Sequence, residues 1–272
     1  MPPGAPPDSP EPTPPQSSPF ADGYEGPRRT PPRPPEPPRS SSALLGRLFG
    51  SKAIAGVYHW LTNHSLWAEQ NLGLLDHLGA NPPKDPKILD LGAGTGIGTR
   101  ALARAFDGRG EVIGLDFAAP MVKLANQAAE ADDLSNLRFM QGDATNLSSF
   151  KDNSLDYVVA NSFLYLVPDA PGALREARRV LKPGGRLVFM EPREEGSVRK
   201  AALVAAENAS TSLERPYSSL RLLAAMAAWR VMSGLEGRRT EPQLRSLFAE
   251  AGFDSVRFEP TLGGLGHHVI AD

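Results

Sequence analysis

The residues best spaced for chemistry lie between Lys87 and Gly98, where the chain reads Lys87-Ile88-Leu89-Asp90-Leu91-Gly92-Ala93-Gly94-Thr95-Gly96-Ile97-Gly98. Ile88, Leu89 and Leu91 form the apolar run of a short buried strand. Gly92, Gly94 and Gly96 remove side chains where backbone must bend with φ > 0 or approach a ligand closely. Thr99 to Phe106 continues with helical spacing. A strand, a glycine turn and a helix N-terminus together present backbone N–H groups to whatever fills the crevice. A phosphate loop would end in Gly-Lys-Ser/Thr, and none is present. A dinucleotide fingerprint G-x-G-x-x-G places Ile97 or Thr99 where its last glycine should be, which argues against a nicotinamide-dependent oxidoreductase.

Further acids stand at intervals suited to a nucleoside. Glu111-Val112-Ile113-Gly114-Leu115-Asp116 reads as a second strand ending in Asp116, whose carboxylate can accept two charge-assisted hydrogen bonds from a ribose diol. The same acid can also serve the start of the helix at Ala118-Ala119-Pro120-Met121. Phe117 and Met121 could pack against a base. Leu137 to Gln141 is a third strand with Asp143 and Ala144 in the turn behind it. Leu155 to Asn161 is a fourth, whose carboxyl end faces the same crevice and carries Asn161.

The pattern Asp90-x-Gly92-x-Gly94-x-Gly96, followed in order by Asp116, Asp143 and Leu181-Lys182-Pro183-Gly184-Gly185-Arg186-Leu187, resembles the class I S-adenosylmethionine-dependent methyltransferases. The resemblance is firm over residues 84–191 and looser over 50–272. It implies an α/β fold, a Rossmann-like seven-stranded sheet flanked by helices, with S-adenosyl-L-methionine as cofactor. It implies cofactor-binding roles for Asp90, Gly92, Ala93, Gly94, Gly96, Asp116, Phe117, Met121 and Asn161. Asp143 would accept from the adenine amine, and the backbone N–H of Ala144 would meet a ring nitrogen. Tyr58-His59-Trp60-Leu61-Thr62 resembles an amino-terminal motif of the quinone-biosynthesis C-methyltransferases, with His59 where they carry an acid, and Gly263-Gly264-Leu265-Gly266-His267-His268 resembles their carboxyl end. Tyr58 would then lie near the reactive methyl; otherwise it is a core tyrosine.

Methyl transfer from a sulfonium is an in-line displacement that needs proximity and orientation, with a base only when the acceptor must lose a proton. His64, His267 and Glu191 are the candidate bases, each also readable as structural. No metal site is expected.

The elements that must position these residues follow from periodicity. Ile54, Val57, Tyr58 and Leu61 predict one helix. Leu66, Trp67, Leu72, Leu74, Leu75 and Leu78 predict a second, ended at Gly79 and opened by a cap near Asn63 or Ser65. Ala173 to Leu181 reads as a helix, Lys182 to Gly185 as a turn and Arg186 to Glu191 as the fifth strand. Residues 197–239 carry alanines and leucines at helical spacing, among them Leu222, Leu223, Met226, Trp229 and Val231. In the resembled family this stretch covers the acceptor, so an apolar or aromatic acceptor is expected; plain core packing is the competing reading. Thr240 to Glu250 reads as a capped helix, Ser255 to Phe258 as a strand, and Leu262 to Ala271 as a final edge strand.

Composition bounds the rest. The chain has 272 residues, a net charge of −2 and no cysteine, which excludes disulfides, thiolate metal sites and a cysteine nucleophile. No basic field points to nucleic acid. No signal peptide and no spanning segment is read, so a cytoplasmic protein is expected. Sixteen of the 27 prolines fall in residues 1–38. Residues 1–41 therefore read as a disordered arm and 42–272 as the methyltransferase domain. The arm is either an inert tail or a dock for a protein partner or protein shell. The apolar patch Ser42 to Gly50 reads as the domain's first turn or a partner-binding peptide. A small-molecule methyltransferase is the leading function, and a non-catalytic cofactor-binding module docked through the arm is the alternative.

Overall fold

The structure is a computed structural model that describes residues 51–62, 68, 71–196, 216–235 and 237–272. The expectations placed on the arm, on Ser42 to Gly50, on His64 and the Asn63 or Ser65 cap, and on residues 197–215 lie outside the described residues. So do the side chains of Leu222 and Leu223.

Five parallel strands build most of a seven-stranded sheet: β1 (Lys87–Leu91), β2 (Glu111–Asp116), β3 (Leu137–Gln141), β4 (Leu155–Asn161) and β5 (Leu181–Pro192). Two antiparallel strands, β6 (Val256–Thr261) and β7 (Gly266–Ala271), complete it in the order β3-β2-β1-β4-β5-β7-β6. The helices are α1 (Lys52–Thr62), α2 (Ile97–Ala105), α3 (Ala119–Glu130), α4 (Ala170–Val180), α5 (Pro216–Leu235) and α6 (Glu241–Glu250).

The central strands are apolar on both faces, and alternation assigns their side chains to two cores. Leu89, Leu91, Ile113, Val158, Phe189 and Val269 pack with Leu174 of α4 and Phe248 of α6. Ile88, Val112, Val159, Val188 and Ile270 pack with Leu102 of α2 and Trp229 of α5. The Thr240 hydroxyl accepts from the Gln243 N–H while Gln243 reaches back to the Thr240 N–H, closing the capping box at the start of α6.

Three expectations need correction. The last strand is not an edge: β7 pairs with both β5 and β6, and the outer strands are β3 and β6. Every residue of β7 is buried, so the more apolar strand of the closing hairpin takes the inner place. The second predicted helix does not run to Leu78. It gives way to a 3₁₀ turn at Leu75–His77, because Gly73 weakens the helix and the Leu74 and His77 N–H groups bond three residues back. Residues 182–185 are an outward bulge within β5, since Leu155 pairs with Leu181 and Tyr157 with Arg186.

Candidate active site

Strand order reverses between β1 and β4, so the loops at their carboxyl ends diverge and leave a crevice. A cleft of about 290 Å³ fills it. Gly92 and Gly94 come from the loop after β1, and Leu115 to Ala118 from the end of β2. Gly142 to Thr145 follow β3, and Asn161 to Phe163 and Leu166 to Asp169 follow β4. Tyr58 of α1 and Met121 of α3 close the cleft at the front.

The glycine turn is shaped by close approach. Gly92, Gly94 and Gly96 have φ of 72°, 55° and 78°. A Cβ on Gly92 would lie 2.6 Å from the Phe163 ring, and one on Gly96 would lie 2.5 Å from Phe139. The Gly94 N–H donates to Asp116 Oδ2 at 2.8 Å, and the Ala118 N–H donates to Asp116 Oδ1 at 2.9 Å. Each Asp116 oxygen thus has one backbone donor and keeps lone-pair capacity toward the cleft. Burial raises the Asp116 pKa, against these two backbone bonds. Asp143 accepts from both the N–H and the hydroxyl of Thr145 at 2.8 Å, an Asx turn that fixes its carboxylate at the lip. Tyr58 is pushed up to about 12 by burial and by the Asp116 charge, so its phenol stays protonated.

A hydrogen-bond chain orients the opposite wall. The Trp229 indole N–H donates to Ser162 Oγ at 2.9 Å, and Ser162 Oγ donates to Asn161 Oδ1 at 3.2 Å. Ser162 holds φ at 58°, an unusual backbone state for a non-glycine residue. Asn161 Nδ2 is then buried with no partner among the described residues, a donor left for a ligand.

Of the predicted site residues, Tyr58, Gly92, Gly94, Asp116, Phe117, Met121, Asp143, Ala144 and Asn161 all line this cleft. Asp90, Ala93 and Gly96 stand behind it. Asp90 is buried and accepts from the Thr99 hydroxyl at 2.7 Å, which ties β1 to the first turn of α2; burial pushes its pKa up to about 7. Glu191 and His267 also lie outside the lining. Glu191 accepts from the Phe163 and Leu164 N–H groups at 3.0 and 2.8 Å, and burial raises its pKa to about 7. His267 is buried beside Phe258, and desolvation lowers its pKa to about 4. Trp229 is buried among Leu74, Met190 and Leu265, and α5 contributes no residue to the lining.

Sequence reasoning missed Ser162, Phe163, Thr145 and Thr99. The Thr145 role was legible in Asp143-Ala144-Thr145, an Asx-turn sequence. Ser162 and Phe163 carry no local signal, because their partners Trp229, Glu191 and Gly92 are distant in the chain.

The cleft suits the cofactor the glycine pattern implies. Its glycine edge admits a chain without side-chain collision, Asp116 offers acceptors, Leu115, Phe117 and Met121 offer an apolar slot, and Asn161 Nδ2 awaits an acceptor. Comparison with known proteins agrees. Residues 89–189 match the methyltransferase domain family model. The chain is 43% identical over 132 residues to the demethylmenaquinone methyltransferase of Lactiplantibacillus plantarum, a match covering 48% of this chain and 53% of that protein. The chain spans about half the length of the first curated relatives it matches. The enzyme of the same name from Bacillus licheniformis aligns over 212 residues at 32% identity, covering 74% of this chain and 83% of that protein. A solved S-adenosylmethionine-dependent methyltransferase from Aquifex aeolicus superimposes with a TM-score of 0.55 at 18% identity, over 74% of this chain and 88% of its own, which is a likeness of fold. With the glycine turn, the acids behind it and the sheet order all in agreement, the chain belongs to the class I S-adenosylmethionine-dependent methyltransferase family.

Proposed function

We propose that the chain transfers a methyl group from S-adenosyl-L-methionine to carbon or oxygen of a small apolar or aromatic acceptor, residues 42–272 forming the catalytic domain. The observation that carries this reading is the two-sided chemistry of one cleft. Gly92, Gly94, Asp116 and Asp143 make a polar, glycine-edged half; Phe163, Leu166, Val167 and Pro168 make an apolar half. The similarity to demethylmenaquinone methyltransferases makes a hydroquinone ring the first acceptor to test.

The cofactor supplies an electrophilic methyl on a positively charged sulfur. The chain's own residues hold and orient. Asp116 accepts from hydroxyls, Asn161 Nδ2 donates, the Tyr58 phenol donates at the front of the cleft, and the apolar wall excludes water from the transfer path. Among the described lining residues the acids are Asp116, Asp143 and Asp169, each already accepting backbone N–H groups. Glu191 and His267 are set back from the cleft, so an acceptor that arrives ionised, or gives its proton to solvent, fits better than one needing a protein base.

The test is incubation of purified chain with methyl-labelled S-adenosylmethionine and a demethylated naphthohydroquinone. Labelled product supports the reading. Calorimetric binding of the cofactor with no transfer to any aromatic acceptor would instead favour the non-catalytic module.

A further inference from the structure

The chain turns sharply after β4, and its leading N–H groups there find no partner within the turn. Leu164–Leu166 form a single 3₁₀ turn, closed by the Leu166 N–H on the Phe163 carbonyl at 2.9 Å and by the Val167 N–H on the Leu164 carbonyl at 3.2 Å. This closure uses the carbonyls of Phe163 and Leu164 and leaves their N–H groups to be satisfied from elsewhere. A serine just ahead of a turn is an ordinary local cap. Ser162 is committed otherwise: its Oγ receives the Trp229 indole N–H and donates to Asn161 Oδ1. Trp229 lies in one core, and Phe163 and Leu164 lie in the other. The acceptor comes instead from β5, where Glu191 Oε1 takes the Phe163 N–H at 3.0 Å and the Leu164 N–H at 2.8 Å.

A carboxyl group is a costly choice for this task. Glu191 is 3% exposed, and burial raises its pKa to about 7, although the N–H groups of residues 163–165 and the Arg239 charge favour the ionised form. Burying a carboxylate costs free energy that apolar packing does not, so the group answers a local demand, the placing of this stretch of backbone. That stretch carries Phe163, Leu166, Val167 and Pro168, the apolar half of the cleft. The Phe163 ring abuts the glycine turn, since a Cβ on Gly92 would stand 2.6 Å from it. It also meets Phe189 edge to face, with ring centroids 6.0 Å apart. One carboxyl thus fixes the backbone from which the apolar wall rises, and that wall borders the cofactor turn.

We propose that Glu191 is a positioning residue for methyl transfer: its grip on the Phe163 and Leu164 N–H groups sets where the apolar wall stands relative to the glycine turn, and hence how the acceptor meets the methyl group. The proposal rests on the reading of that wall as the acceptor half of the cleft. Glu191 stands outside the cleft lining, so it acts through the backbone it holds. An in-line displacement makes that placement matter, because a misplacement of about 1 Å costs about a hundredfold in rate. Asp116 and Asp143 come from the ends of β2 and β3 and are fixed by hydrogen bonds of their own. Loss of Glu191 therefore falls on the acceptor and spares the polar half of the cleft.

The experiment compares the full-length parent with Glu191→Gln, Glu191→Asp and Glu191→Met, each checked by thermal melting to be folded at the assay temperature. Glutamine keeps the reach and an oxygen for the two N–H groups; aspartate keeps the charge but is one carbon short; methionine keeps the length and offers only a weak acceptor. Calorimetry reads S-adenosylmethionine affinity, and label transfer to a demethylated naphthohydroquinone reads kcat/KM for the acceptor. The methionine and aspartate variants should lose about tenfold or more in kcat/KM, with cofactor affinity within about twofold of the parent, and the glutamine variant should stay within about threefold of the parent in both. If the methionine variant does not fold, the aspartate variant carries the comparison. Folded methionine or aspartate variants with parental kcat/KM overturn the proposal. So does a glutamine variant as impaired as they are, or a loss of cofactor affinity equal to the loss in kcat/KM, which would make Glu191 a support of the whole site. A parent that transfers to no aromatic acceptor is a separate failure: it overturns the acceptor reading, and this proposal with it, before any variant is compared.

Discussion

Asp116 serves the start of α3 and, in the proposed reading, also a ligand, because a carboxylate has more lone pairs than Gly94 and Ala118 consume. Asp116→Ala should weaken S-adenosylmethionine binding by about 1.5–3 kcal/mol per lost charged hydrogen bond. Calorimetry checks it, and unchanged affinity would remove Asp116 from the site. Glu191 gives a pH signature instead. Its pKa is about 7 in the folded chain, raised from 4.5 because the carboxyl is buried. Between those two values the native state holds a proton that the unfolded chain has lost. The group's contribution to stability is therefore full below pH 4.5, declines as pH rises and is lost by about pH 7. Glu191→Gln removes that titration while keeping an amide oxygen for the Phe163 and Leu164 N–H groups. The melting temperature of the variant, relative to the parent, should rise from about pH 5 to about pH 8. A difference that stays flat across that range would mean that Glu191 titrates normally.

At the scale of elements, the glycine turn works because a strand, a helix and two aromatic rings converge on it. Gly96 caps α2 at φ 78° and faces Phe139, whereas Gly184 in the β5 bulge has φ 76° with nothing within 4 Å of the place a Cβ would take. Both substitutions to alanine impose left-handed strain of about 1 kcal/mol, and only Gly96→Ala adds overpacking of about 1–3 kcal/mol. Thermal melts should separate the pair, with Gly184→Ala losing a few degrees and Gly96→Ala several times more. Equal losses would show that the Phe139 ring yields freely.

For the whole molecule, the sheet forms one continuous frame with both faces covered, and the cleft opens at the reversal of strand order. By their proline-rich composition residues 1–41 are expected to add no core contacts to the fold. Deleting them should leave the melting temperature and the cofactor affinity of residues 42–272 unchanged within about 0.5 kcal/mol. A fall of several degrees in differential scanning fluorimetry would show that the arm packs on the domain.

The sequence by itself determined the parallel core of this fold. Strands β1 to β4 and their turns are legible because each is a short apolar run punctuated by glycine, aspartate or proline, and those signals act within a few residues. The acids at the strand ends are legible for the same reason: Asp116 and Asp143 sit where a strand must stop. Tertiary structure decided what depends on distant partners. It placed β7 inside β6, since burial of both faces outweighs sequence order. It put Trp229 in the core, with its indole N–H donating to Ser162 at the cleft. It set Glu191, a candidate base that also reads as structural, outside the cleft lining, where it accepts from the Phe163 and Leu164 N–H groups, 28 and 27 residues away along the chain. It also left Val231 and Leu235 of α5 in water, a choice that alanines and leucines on every side of a helix do not settle.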